Sequence, residues 1–364
     1  MKLIHCADVH LDAKMTSHLT GEMARVRRAE LLHTFCRMVE YAASSQVEAV
    51  LIAGDLFDGK NVSAAARNTV KDAIADHPEI SFFYLRGNHD ADSFLGNLQE
   101  WPDNLKLFGD TWTTYLLGET GGITVTGAEP GREGGILYER LVLDAEKFNI
   151  VVLHGQVTEH TAGNDPEYVK LKLLRDKGID YLALGHVHAC QEARLDGRGS
   201  YCYPGCLEGR GFDECGEHGF VLLSVEENGT CTREFVPFAS RFYHMPEVDI
   251  TGCRHTPDIA RRIRQALEEA AYDSRCMLKV VLTGSVEVDC EKNMEILAKQ
   301  FEPMYGYLEI QDDSVLYVDY SLYALDQSLK GEFVRTVQAA QGLGQEEKAA
   351  IIRCGIRALS GEEI

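Results

Sequence analysis

Five apolar, strand-like runs in the first half of the chain each stop on a histidine, an aspartate or an asparagine. No other feature constrains the fold as strongly. Lys2–Ala7 runs into Asp8-Val9-His10, Val47–Ala53 into Gly54-Asp55, and Ile80–Leu85 into Arg86-Gly87-Asn88-His89-Asp90. Ile150–Leu153 ends in His154-Gly155, and Tyr181–Leu184 in Gly185-His186-Val187-His188. A single polar ending is an ordinary strand terminus, whereas five of them imply side chains gathered at one edge. Between the first three runs, Glu22–Ser45 and Ser63–Ala75 carry apolar residues at helical spacing. Alternating strand and helix predicts an α/β domain with parallel crossovers. The carboxyl edge of such a sheet is where a ligand crevice forms.

Further strands are expected at Gly122–Thr126, Ser200–Tyr203 and Gly219–Val225, and the segment Cys231–Ala239 is expected to close the domain. The chain's 364 residues exceed what one hydrophobic core usually supports, and the pattern changes near Phe242–Pro246. The sequence thus reads as a main domain over 1–240, a smaller α/β module over 241–325 and a helical tail over 326–364. The module alternates helix Pro257–Ala271, strand Met277–Thr283, helix Cys290–Gln300 and strand Tyr305–Ile310, and the tail is helical over Asp326–Ala340 and Gln345–Leu359.

Composition narrows the setting. No segment approaches the ~20 consecutive apolar residues that span a bilayer, and the opening MKLIHCADVH has no apolar core of a signal peptide. Eleven cysteines, an odd number scattered without a CxxC pair, read as reduced thiols in a cytoplasmic protein. The net charge of −21 is the wrong sign for binding nucleic acid through a general field. Such binding needs a local basic groove, bound cations or a basic partner.

The five endings supply seven oxygen or nitrogen donors: Asp8, His10, Asp55, Asn88, His154, His186 and His188. Carboxylate and imidazole without thiolate suit manganese, iron or zinc. One carboxylate, Asp55, could bridge two ions about 3.5–4 Å apart, the arrangement that serves in-line phosphoryl displacement.

In this pattern the chain resembles the calcineurin-like metallophosphoesterases, whose blocks D-x-H, G-D, G-N-H-D/E, H and G-H-x-H stand here as DVH, GD, GNHD, VVLHG and GHVH. The resemblance implies a four-layer α/β sandwich of mixed sheets flanked by helices, with the module as a cap. It also implies two divalent ions, manganese foremost, with magnesium, iron and zinc as alternatives. One ion would take Asp8, His10, Asp55 and His188, and the other Asp55, Asn88, His154 and His186. His89 would act near the leaving group, oriented by Asp90. KLIHCADVHLD, LIAGDLFDG and the stretch Pro204–Glu214 further resemble the SbcD-like DNA repair nucleases, while the last 39 residues look closer to a YhaO-type branch. Val9 stands where many relatives carry Trp.

The implied activity is metal-dependent hydrolysis of DNA phosphodiesters by an exonuclease. Arg261, Arg262 and Arg264 are candidate phosphate contacts, and a solvated helix face accounts for them equally. The implied partners are DNA and, on the C-terminal helices, an SMC-like ATPase of the SbcC type, with a homodimer also open and no membrane. The apolar residues Phe333, Val334, Val337, Ile351, Ile352, Ile356 and Leu359 fit a helix laid in a groove, or packing on their own chain. A phosphodiesterase or phosphatase for a small nucleotide-type substrate is the alternative enzyme. A scaffold with a dead site would be expected to lose donors, and this chain keeps all seven.

Overall fold

The computed structural model describes residues 1–15, 19–59, 62–90, 101–118, 121–131, 135–163, 165–288 and 290–359. Within residues 1–242 the strands are β1 (Lys2–Cys6), β2 (Ala49–Ala53), β3 (Ser81–Leu85), β4 (Leu105–Leu107), β5 (Thr113–Leu117), β6 (Ile123–Gly127) and β7 (Phe148–His154). They continue with β8 (Gln156–Thr158), β9 (Tyr168–Lys170), β10 (Tyr181–Gly185), β11 (Gln191–Arg194), β12 (Ser200–Tyr203), β13 (Gly219–Val225) and β14 (Cys231–Pro237). One sheet runs β14-β13-β1-β2-β3-β4 and the other β11-β12-β10-β7-β6-β5. In the first, β1 to β4 are parallel. In the second, β6, β7, β10 and β12 are parallel. β13, β14, β5 and β11 pair antiparallel. Both sheets are therefore mixed.

The central strands are buried on both faces, which is why they read as unbroken apolar runs rather than alternating ones. Between the sheets, Leu3, Leu51 and Phe83 meet Ile150, Val152 and Tyr181. On the outer face of the first sheet, helices α1 (Gly21–Ser44) and α2 (Ala64–Ala75) press Leu31, Phe35, Met38 and Val70 onto Ile4, Ile52 and Phe82. Burying each such side chain contributes roughly 1.5–3 kcal/mol. Capping fixes where these helices begin. Thr20 Oγ1 accepts from Met23 N, and Ser63 Oγ accepts from Ala66 N. On the far face of the second sheet the cover is thinner. Tyr138, Leu141, Leu171 and Leu174 come from short helical turns and loops and pack on Val151, Leu153 and Leu182. The four layers expected from the sequence are present, with the outermost one built from fragments.

The chain divides into two compact units, Met1–Phe242 and Tyr243–Ile364. In the second, Cys276–Thr283 pairs with strands at Glu247–Asp249 and Tyr307–Asp312, beside helices Thr256–Glu269 and Met294–Phe301. The last two helices, Leu329–Ala339 and Gln345–Leu359, bury Val334, Val337, Ile352 and Ile356 against Val288 and Tyr323. Much of the apolar spacing in the tail thus serves packing on its own chain. Ile351 and Leu359 stay exposed. No described helix is long and apolar enough to cross a membrane, and all eleven cysteines are free thiols.

Candidate metal centre

Because β1, β2 and β3 are parallel in one sheet and β7 and β10 in the other, the five polar endings lie at the carboxyl edges of both sheets. The edges touch there. Asp8 accepts from His186 N at 2.9 Å, and His154 Nδ1 lies 2.9 Å from the carbonyl of Ala53. The loops leaving the strands are sharply bent. Asp8, His10, Asp55 and His186 all take positive φ, of 51°, 48°, 53° and 104°. Such conformations are disfavoured for residues with a Cβ and persist where the surrounding structure over-determines them. The bends also require close approach. A Cβ on Gly54, itself at φ +92°, would collide with His154 Nδ1, and one on Gly87 would collide with Asp55 Oδ1.

One group of donors surrounds Asp55, which is 2% exposed. His154 Nε2 lies 3.4 Å from Asp55 Oδ2 and 3.0 Å from Asn88 Oδ1. Its other nitrogen faces a backbone carbonyl, so the ring proton belongs on Nδ1 and the Nε2 lone pair points at two oxygens. Three donors packed this closely are placed to share one positive charge, a proton on Nε2 or a metal cation. The electrostatics agree. Burial disfavours charge on both His154 and Asp55, yet their mutual attraction holds the imidazole above its usual range and the carboxyl below its own. His186 stacks edge-on to His154 with centroids 5.4 Å apart, and burial followed by repulsion from His154 lowers its pKa.

The second group contains Asp8, His10 and His188. His10 is 1% exposed, and its ring nitrogens make no hydrogen bond of ordinary length, Nδ1 lying 3.5 Å from Asp58 Oδ1. Buried ring nitrogens held just beyond hydrogen-bond length of carboxylates are suited to sharing a cation with them. Its Nε2 lies 3.7 Å from Asp55 Oδ2, and His188 Nε2 lies 4.0 Å from Asp8 Oδ1. The second separation is close to two metal–ligand bond lengths. Burial pushes Asp8 up to about 6, so a neighbouring cation would stabilise its carboxylate. The donors in both groups fit divalent ions.

Three placements differ from the sequence reading or add to it. The imidazole of His89, 48% exposed, faces Asp58 rather than Asp90, with Nδ1 3.2 Å from Asp58 Oδ1. Asp90 instead accepts from the backbone N–H groups of Phe57 and Gly87 at 2.9 Å and of Leu56 at 3.3 Å, bracing the loops after β2 and β3. Burial raises its pKa to about 6. The sequence signal for Asp58 is its place three residues after Asp55, in the same loop. Sequence reasoning also misses Glu214. Its carboxylate meets His188 Nδ1 at 2.7 Å and Arg210 Nη2 at 2.7 Å. Burial would raise the Glu214 pKa, but those two partners hold it well below the usual carboxylate range.

Arg261, Arg262 and Arg264 lie in the second unit, on the exposed face of helix Thr256–Glu269. Arg261 pairs with Asp258 at 2.7 Å, and Arg264 lies over the ring of Phe301. Beside the centre, in the first unit, a cavity of about 300 Å³ is lined by Arg86, Asn88, Glu129, His154, Glu167 and His186.

Comparison with known proteins matches residues 1–190 to the family described as calcineurin-like phosphoesterase. The chain is 27% identical to the uncharacterized metallophosphoesterase YhaO of Bacillus subtilis, covering 78% of this chain and 72% of that one. It is 25% identical to the DNA double-strand break repair protein Mre11 of Methanopyrus kandleri, covering 80% and 69%. Over a shorter stretch, 25% of this chain and 22% of the other, it is 31% identical to a component of the nuclease SbcCD of Rhodobacter capsulatus.

Proposed function

The chain belongs to the calcineurin-like phosphoesterase family, and we propose that it is a two-metal phosphodiesterase that cleaves DNA. The observation that carries this reading is the place of Asp55. It lies within 3.7 Å of both His10 and His154, between the two sets of donors, next to a cavity lined by Asn88, His154 and His186. Two divalent cations held by Asp8, His10, Asp55 and His188 and by Asp55, Asn88, His154 and His186 would offset charge developing on the phosphoryl group.

The remaining chemistry falls to side chains of this protein. His89 is half exposed beside the centre, and its Nδ1 is engaged by Asp58. With Nδ1–H directed at Asp58, the ring in its imidazolium form would carry a second proton on Nε2 and give that one to the departing oxygen, returning to the neutral Nδ1–H tautomer. Asp90 keeps the two loops in register, so that Asn88 and His89 project from one turn.

Relatives named for DNA double-strand break repair and for a nuclease favour DNA as the substrate. The acidic balance of the chain is tolerable when cations sit where the scissile phosphate lies. Manganese is the ion we favour, from the mixed carboxylate and imidazole set. The second unit is proposed to cap the substrate, with Arg261, Arg262 and Arg264 offering phosphate contacts. An SMC-like ATPase is the proposed partner, since Leu322 and Leu325 just before the last two helices and Leu329 at the start of the first of them are 63%, 92% and 67% exposed.

A second reading, hydrolysis of a small nucleotide-type phosphodiester, is favoured by the net charge of −21 and the modest cavity. One experiment separates the two. Purified protein with manganese, magnesium or zinc is given labelled single- and double-stranded DNA alongside bis(p-nitrophenyl) phosphate. DNA cleavage supports the nuclease, and turnover of the small ester alone supports the alternative.

A further inference from the structure

The contact between Glu214 and His188 decides a proton position. His188 Nδ1 lies 2.7 Å from Glu214 Oε1 and 3.2 Å from Arg210 Nη2. An arginine has only donors and a carboxylate only acceptors, so Nδ1 can donate to one or accept from the other but not both. The Glu214 contact is the shorter, and a lone pair on Nδ1 facing a carboxylate at 2.7 Å would be repulsive. The proton therefore sits on Nδ1, and the Nε2 lone pair is directed to the side where Asp8 lies.

The same carboxylate engages Arg210 through Nη2 at 2.7 Å and accepts from the Arg210 backbone N–H at 2.7 Å. Glu214 is 8% exposed, and Cys206 Sγ lies 3.8 Å away. Its orientation is thus fixed from several sides. Arg210 remains 20% exposed, and Nη2 at 3.2 Å from His188 Nδ1 places the guanidinium beside the centre.

We propose that Glu214 is a positioning residue of this centre, fixing the tautomer and aim of His188 and holding Arg210 where it meets a non-bridging oxygen of a substrate phosphodiester. The proposal rests on the phosphoesterase reading above. A carboxylate behind a metal-ligating histidine typically changes metal affinity 10- to 100-fold, and a charged hydrogen bond to phosphate is of similar worth.

The test titrates manganese into full-length protein, Glu214→Gln, Glu214→Ala and Arg210→Ala by calorimetry, then measures kcat and KM on bis(p-nitrophenyl) phosphate. Glu214→Ala should bind one of two manganese ions about 10- to 100-fold more weakly. Glu214→Gln, which keeps an acceptor for Nδ1–H, should recover part of that loss and carries the test if the alanine variant does not fold. Arg210→Ala should raise KM roughly tenfold or more and change manganese affinity less than Glu214→Ala does, since Glu214 keeps its contact with His188 Nδ1. Unchanged manganese affinity in both Glu214 variants overturns the positioning role, and unchanged KM in Arg210→Ala overturns the phosphate contact. If the unaltered protein itself takes up no manganese, the two-metal reading fails first and this inference falls with it.

Discussion

His89 Nδ1 stands 3.2 Å from Asp58 Oδ1, and the same Asp58 oxygen lies 3.5 Å from His10 Nδ1. One carboxylate thus links the proposed proton donor to a proposed metal ligand. His89→Asn should retain manganese and DNA binding while slowing hydrolysis by ~10²–10⁴-fold, the usual worth of a positioned acid. Asp58→Asn should slow it less, since the imidazole remains. Single-turnover rates beside manganese calorimetry separate these effects. Parallel loss of metal and rate in His89→Asn would show that His89 is a ligand.

Asp90 behaves as a brace, so its removal should be felt as stability before chemistry. Asp90→Ala strips the acceptor from three backbone N–H groups, and each buried donor left unpaired costs about 1–3 kcal/mol. Thermal unfolding should shift downward in the metal-free protein as well as in the manganese form. A stable variant defective only in turnover would return Asp90 to a direct role beside His89.

Metal removal should destabilise the first unit. Asp8, His10 and Asp55 are at most 2% exposed and face one another, so without cations the centre holds poorly compensated buried charge. Adding manganese at a hundred times its dissociation constant should stabilise the fold by about 2.7 kcal/mol per site. Calorimetric scans with chelator and with manganese check this, and identical melting curves would contradict it.

Gly54→Ala should damage the centre without touching a donor. The added methyl runs into the His154 ring, and the backbone there is at φ +92°. Displacing His154 should weaken manganese binding to the ion proposed to contact Asn88 and His186. Wild-type stoichiometry and affinity in this variant would show that the loop yields more easily than its packing implies.

Truncation after Phe242 tests the capping proposal. Both six-stranded sheets and every candidate ligand lie in the first unit. The shortened protein should therefore remain folded and hydrolyse a small phosphodiester with manganese. It should act poorly on long DNA, and its DNA affinity should fall less steeply with salt than that of the full chain. Equal slopes for both would reject a DNA-contacting role for the second unit.

The buried parallel strands are legible in the sequence because burial on both faces leaves a continuous apolar run, as in AVLIA of β2 and YLALG of β10. β11 is not, since all four residues of QEAR are exposed and only pairing with β12 makes it a strand. Helix starts drift where a cap overrides periodicity. The helix expected from Asp326 begins at Leu329 after Ser328, and the one expected from Cys290 begins at Met294 after Asn293. All seven donors are legible as strand endings. Their partners are not, because which carboxylate meets His89 or His188 depends on loop packing. Glu214 reaches His188 across 26 residues of chain.

The four donors held at positive φ give the centre a further property. Asp8, His10, Asp55 and His186 occupy backbone conformations that glycine or asparagine adopts at lower cost, and three of them are almost fully buried. A laboratory selection for heat resistance alone, blind to turnover, would therefore erode this centre early, as stabilising replacements accumulate where function has kept the backbone bent.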